Sequence, residues 1–530
     1  MKTVRTLVTG AYWAMMAMIL FLLIVVIENY DFLLKRRYAI SYAQILGIGI
    51  VLLLLILIPA YLLHGCKRKV VIGKPAAWGM ELAGWGVILG LQMAYCYFAY
   101  FLTSWDASAI VHNAFYLAKY GVPEYLDSLY FSHYPNNVLI VEIFAMIIRL
   151  FCLVAGDPGL ERCVLILLFV QCVINTGTGF FLRRIALKLT GSSAFALATA
   201  VAYVIFIGFS PWLLISYTDS MALFVPTLCL YLYYQQRGSK YKMIHWVTIG
   251  AVSAVGYLLK PQAVIMTIAI LLWETLRWIV SKEAYAWCMS VGCAFLVLMI
   301  CVGPVNDMIQ ENSLIEVDKS QSVGMMHYFM MGMHPETRGT YNDEDVYNTF
   351  HMPPEERTSI QLKEGVRRIR EMGTDGFFKL MKDKLLISYS DGMFAWGIYA
   401  SFFREKIEDK DTLISPLLKN IVYTDGKYYT TYRLLRQCLW EALLMGCLLL
   451  PFACVMNKGK AERDILTVMM IAIMGLTVFE CIFEVLSRYL YTYAPIYLLM
   501  GMLGLWYTLM WIKVRVKKWI NCPILRSADE

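Results

Sequence analysis

Apolar runs of about 20 residues recur along this chain, each long enough to carry a helix across the roughly 30 Å hydrocarbon core of a bilayer. They fall near 7–28, 42–63, 80–103, 163–182, 193–213, 220–235, 243–259, 262–280, 285–303, 437–455, 464–483 and 490–512. Lipid offers a backbone no hydrogen-bond partners, so such runs fold as helices. With 59% hydrophobic and 16% charged residues among 530, a water-soluble core could not hide them. The expected fold class is an all-α polytopic membrane protein with about 12 transmembrane helices. Met1–Arg5 is short and basic, but no small-residue cleavage site follows the first run, which is expected to stay as a helix.

The net charge of +8 does not point to nucleic acid, because the basic residues sit in short loops at helix ends, where they report topology. Lys67, Arg68 and Lys69; Arg183, Arg184 and Lys188; Arg237, Lys240 and Lys242; Lys458, Lys460 and Arg463; and the tail from Lys513 to Lys518 all fall on one side. That side is read as cytoplasmic. Lys35, Arg36 and Arg37 fall on the other side, against the rule. The 14 cysteines are scattered without paired C-x-x-C sets, which supports neither a zinc site nor a disulfide framework.

One apolar segment is left out of the crossings. Residues 137–156 carry Glu142 and Arg149, follow the helix-entry signal Pro135-Asn136-Asn137, and would reverse the basic loops if they crossed. They are expected to lie as a helix in the outer interface. The organisation that follows is two N-terminal helices over 1–79, a membrane module over 80–303 with an outer loop at 104–161, a large extracytoplasmic segment over 304–436, and C-terminal helices with a basic cytoplasmic tail over 437–530. Within the large segment, 355–373 reads as a charged helix and Asp343, Glu344 and Asp345 as a solvated acidic run.

Polar residues at the outer helix ends are the candidates for chemistry. Asp106 follows the third run beside Trp105; alone it reads as a helix cap. Asp219 lies in the turn Ser216-Tyr217-Thr218-Asp219-Ser220 after another run. Two carboxylates from different outer turns could converge as base and orienting group, and they are also the residues that would hold a divalent metal if one is used. Arg162, Lys260 and Arg488 are cations on the side where the positive-inside bias disfavours them, and they suit a phosphate. His133 and Tyr134 in the run YFSHYPNN, and His327 from the large segment, are candidate substrate contacts.

These pieces, in order, resemble the multi-pass glycosyltransferases of the C-type fold, nearest to the bacterial family 39-like superfamily of protein O-mannosyltransferases and aminoarabinose transferases. The resemblance rests on W-D at 105–106, YFSHYPNN at 130–137, E-R at 161–162, F-F-L-R-R at 180–184, S-Y-T-D-S at 216–220, L-L-K-P at 258–261 and S-R-Y-L at 487–490. It implies transfer of a sugar from a polyprenyl-phosphate donor to a glycan, lipid or protein acceptor on the extracytoplasmic face of the cell membrane, with inversion. It implies Asp106 as general base, with Asp219 and Arg162 matching an acidic residue and an arginine of the family. The chain departs in having alanine after Asp106, where eukaryotic mannosyltransferases carry an acidic pair, and in its two extra N-terminal spans. A lipid-linked-sugar flippase or secondary transporter is the competing expectation.

Overall fold

A computed structural model describes residues 2–28, 40–65, 74–122, 128–282, 284–301, 307–308, 311, 313–397, 403–456 and 461–520. Lys35, Arg36 and Arg37, and the basic residues Lys67, Arg68, Lys69, Lys458 and Lys460, lie outside the described residues. The first helices are α1 (Lys2–Glu28), α2 (Tyr42–Gly65) and α3 (Lys74–Ala99), followed by strand β1 (Phe101–Thr103). Then come α4 (Trp105–Tyr120), α5 (Ser128–His133), α6 (Val138–Ala155), α7 (Leu160–Thr190) and α8 (Ser193–Tyr203). Next are α9 (Phe224–Gln236), α10 (Lys242–Leu259), α11 (Ile265–Ser281) and α12 (Ala284–Cys301). The large segment holds α13 (Gly324–Gly332), α14 (Asp343–His351), α15 (Arg357–Tyr389), β2 (Phe403–Lys406) and α16 (Ile414–Val422). The chain closes with α17 (Tyr429–Met456), α18 (Ala461–Ile482) and α19 (Ala494–Ile520).

The fold is all-α and polytopic: ten described helical segments are long and apolar enough to cross a membrane. Two segments expected as full spans are broken. Residues 193–213 break after α8 into a π turn at Val204–Gly208 and a 3-10 turn at Pro211–Leu214. Residues 220–235 divide into one turn, Thr218–Met221, and the 13-residue α9. Residues 285–303 form α12, helical throughout its described length Ala284–Cys301. Broken helices survive at membrane depth when protein groups take the freed carbonyls. Here Gln92 Nε2 donates to Gly208 O at 2.8 Å, Arg436 Nη1 to Phe206 O at 2.6 Å and Tyr432 Oη to Phe209 O at 3.2 Å.

The segment 137–156, expected to lie flat, forms α6, and Pro135–Ala155 is among the ten by length and apolarity. Its connections decide its course. The Tyr100 hydroxyl donates to Glu161 Oε2 at 2.7 Å where α3 ends and α7 begins. Arg184 pairs with Glu81 at 2.7 Å where α3 begins and α7 ends. The two helices therefore run antiparallel, and residues 104–159 leave and rejoin the bundle at the same end. α6 adds no net passage from one end to the other. It packs along α4, with Arg149 Nη2 donating to Leu117 O at 2.9 Å, and Glu142 accepts from Ser313 Oγ at 2.6 Å.

The large segment is bolted to that same end. β1 and β2 pair antiparallel, with Phe101 opposite Lys406. Ser415 Oγ donates to Phe98 O at 2.6 Å, and Tyr423 Oη to Ala99 O at 3.0 Å. The buried Lys384 ammonium donates to Gly332 O, Cys481 O and Phe483 O at 3.0, 2.8 and 2.6 Å, tying α13 and α15 to the end of α18. The expected helix over 355–373 runs on to Tyr389, with a kink where Gly373 takes φ 64°. The acidic run is not a solvated loop. It forms the first turn of α14, where carboxylates oppose the helix dipole, and buried Asp345 is held in a forked pair by Arg368 at 2.7 and 2.6 Å. At the opposite end of the bundle, Arg237 pairs with Asp464 at 2.7 Å and Lys188 reaches Gln235 at 2.6 Å. Deep in the bundle α17 and α19 approach through glycines: a Cβ at Gly446 or Gly504 would overlap the facing backbone carbonyl.

Candidate active site at one end of the bundle

Four of the residues singled out in the sequence meet at the end that carries β1 and the large segment. Asp106 stands in the first turn of α4. It is not the cap: that position is Ser104, whose side chain makes no capping bond. Trp105 enters the helix with φ 60°, a left-handed conformation that a bulky residue holds only when its surroundings impose it. Asp219 lies on the turn Thr218–Met221, which exists because the α8 run breaks at Pro211. Lys260 ends α10, and Pro261 opens a 3-10 turn behind it. Arg488 sits on the 3-10 turn Ser487–Tyr493 that leads into α19.

The Lys260 ammonium is 2.7 Å from Asp219 Oδ1. The contact is an ion pair and not a well-directed hydrogen bond, since neither Asp219 oxygen has a donor in good geometry. Asp219 has no solvent exposure and Lys260 is 8% exposed. Burial lowers the lysine's hold on its proton, while the Asp219 charge opposes that effect. The Tyr217 hydroxyl donates to Asp106 Oδ2 at 3.1 Å. Lys260 Nζ lies 4.7 Å from the Tyr489 ring centre and 6.0 Å from that of Tyr217. The Arg488 guanidinium is 5.4 Å from the Tyr489 ring centre and 5.7 Å from that of Tyr217. Among the described residues it has no hydrogen-bond or ion-pair partner, and its Nε is buried without an acceptor.

The other expected site residues separate. Tyr134 is near the cluster: burial, then the Asp106 charge, raises its phenol. His133 points elsewhere and stacks on Phe350 at 3.8 Å; burial lowers its imidazole's proton affinity. His327, expected as a substrate contact, is 1% exposed inside the large segment and shares a 2.8 Å hydrogen bond with Thr349. Its burial pushes the imidazole down to about 4. Arg162 is exposed on the first turn of α7, and no described contact links it to the cluster. Among the described residues no three or more His, Cys, Asp or Glu side chains gather as a metal's ligand set would. Asp219 already faces an ammonium that a cation would have to displace.

Sequence reasoning missed several members. Glu484 is 8% exposed and its N–H donates to Tyr328 O at 2.9 Å. Burial raises its carboxyl, and Arg488 and Lys260 pull it back down. Tyr130, Tyr217, Tyr328 and Tyr489 complete the wall. Tyrosines flanking charged residues at 216–220 and 487–493 were the visible signal. Glu484 had none, lying directly after an apolar span.

These features define a polytopic α-helical membrane protein with a charged, tyrosine-walled cluster at one end. The chain belongs to the family described as conserved hypothetical integral membrane protein, whose model matches residues 1–508. No curated protein and no solved structure matches it.

Proposed function

We propose that this protein is a membrane glycosyltransferase that moves a sugar from a polyprenyl-phosphate donor to an acceptor hydroxyl at the extracytoplasmic end of the bundle. One observation carries the reading: Asp106 and Asp219, from two separate turns, stand beside Lys260 and an Arg488 guanidinium that has ring contacts but, among the described residues, no hydrogen-bond or ion-pair partner. Arginine and lysine together suit a phosphate. A carboxylate within reach of the same place suits removal of a proton from an alcohol.

The step balances as follows. The acceptor oxygen attacks the anomeric carbon and its proton passes to Asp106. The bond from that carbon to the phosphate oxygen breaks, and the electron pair leaves with the polyprenyl phosphate. Lys260 and Arg488 stabilise the charge that grows on the phosphate, and fixed cations in a water-poor site do so at little reorganisation cost. Asp219 holds Lys260 in place. Attack on the face opposite the leaving phosphate inverts the anomeric centre.

The test uses purified full-length protein with a radiolabelled polyprenyl-phosphate sugar and a panel of glycan, lipid and protein acceptors. Acceptor-dependent release of polyprenyl phosphate is the expected result. Movement of intact donor across liposomes without cleavage would replace this reading with a flippase.

A further inference from the structure

Tyr217 touches both halves of the cluster. Its hydroxyl donates to Asp106 Oδ2 at 3.1 Å, and its ring faces the Lys260 ammonium at 6.0 Å and the Arg488 guanidinium at 5.7 Å. Its main chain belongs to the turn that carries Asp219, because the Met221 N–H donates to Tyr217 O at 3.0 Å. Three separate elements therefore meet on one side chain: the start of α4, the end of α10 and the turn before α19. Tyr217 is 8% exposed. Burial and the adjacent Asp106 raise its phenol far above the ordinary value, so it keeps its proton and remains a donor throughout the physiological range.

We propose that Tyr217 is the positioning residue that couples the base to the anion-binding cations, its hydroxyl aiming Asp106 while its ring seats Lys260 and Arg488. The inference rests on the transferase reading above. The phenol fixes Oδ2 and thereby the plane of the carboxylate that receives the acceptor's proton. Aromatic faces attract cations within about 6 Å of the ring centre, so the ring and the hydroxyl do separable work. Asp106 is also faced by Tyr130 and Tyr134 from the α5 turn, by Tyr328 and Tyr341 from the large segment, and by Glu484 and Arg488 from the turn after α18. Of these neighbours, Tyr217 is the one whose ring also contacts both Lys260 and Arg488.

Two variants of the full-length protein separate the roles. Tyr217→Phe keeps the ring and removes the hydroxyl. It is expected to lower kcat about 10- to 100-fold, the effect of losing one hydrogen bond to a charged group, with donor KM within about twofold of wild type. Removing a donor from a carboxylate strengthens its hold on a proton, so the acidic limb of the kcat/KM profile should move to higher pH in this variant. Tyr217→Leu removes the ring as well and should also raise donor KM about tenfold, following the loss of two cation–ring contacts. Wild-type kcat and an unmoved pH limb in Tyr217→Phe would overturn the proposal. So would a KM rise in Tyr217→Phe as large as that of Tyr217→Leu, which would show a general packing defect. A wild-type protein that releases no polyprenyl phosphate would instead defeat the transferase reading itself.

Discussion

Lys260 Nζ stands 2.7 Å from Asp219 Oδ1 with the carboxylate sealed from solvent, and the two come from segments 41 positions apart in the sequence (260 − 219). Truncating one member of a buried pair strands the other charge, at a cost of about 3–5 kcal/mol. Lys260→Met should therefore lower thermal stability strongly, and Lys260→Met with Asp219→Asn should recover most of it. Neither variant should support transfer. Melting in detergent, read beside the donor-release assay, checks both halves, and full stability of the single variant would show that the pair is not sealed.

Asp106→Asn keeps the shape of the carboxylate and can still accept from Tyr217, but it has lost its basicity. General-base catalysis contributes about 10²–10⁴-fold, so turnover should fall by at least 100-fold while the protein still binds donor. Near-normal turnover would remove Asp106 from the role of base.

Lys384 donates to three backbone carbonyls. Lys384→Met fills similar space and removes this donor, and a buried acceptor left unsatisfied costs about 1–3 kcal/mol. Hydrogen exchange should rise over α13 and over 481–485, the stretch that carries Glu484. Unchanged exchange there would show that the strand-like contacts of Glu484 and Val485 suffice to hold it.

His327 is neutral when folded, with its imidazole lowered to about 4 against about 6.5 when unfolded. The unfolded chain binds the extra proton between these values, so this residue's contribution is complete above about pH 6.5 and is lost as pH falls towards 4. His327→Gln should be less stable at pH 7.5 but show a shallower loss between pH 6.5 and 4. A slope identical to wild type would place the acid sensitivity elsewhere.

Gly504 passes so close to the Gly446 carbonyl that any side chain collides with backbone. Close helix approach in membranes depends on such small residues. Gly504→Val should cost about 3 kcal/mol or more by overpacking, visible as loss of the folded peak in size-exclusion chromatography. Gly10→Val, where nothing lies within 4 Å, is the control expected to behave as wild type.

The sequence by itself determined that this chain is a bundle of lipid-compatible helices, because apolar runs of spanning length allow no other satisfied backbone in a bilayer. It also placed Asp106, Asp219, Lys260 and Arg488 at one end of that bundle, since helix direction alternates and the basic loops mark the other end. Burial and partners were not legible. Asp219 and Lys260 read alike as exposed interface residues or as a buried pair, and only the break of the α8 run at Pro211 sets the turn that seals them together. His327 and Arg162 carried the same residue-level signal as the others, yet packing buries one inside the large segment and leaves the other exposed. Glu484 was invisible, because its place depends on α13 and Lys384 gripping the end of α18 from a segment more than 90 residues away in sequence (481 − 384 = 97). Hydropathy is a property of each local stretch. Convergence of charges is a property of contacts between distant ones, and only the tertiary structure decides those.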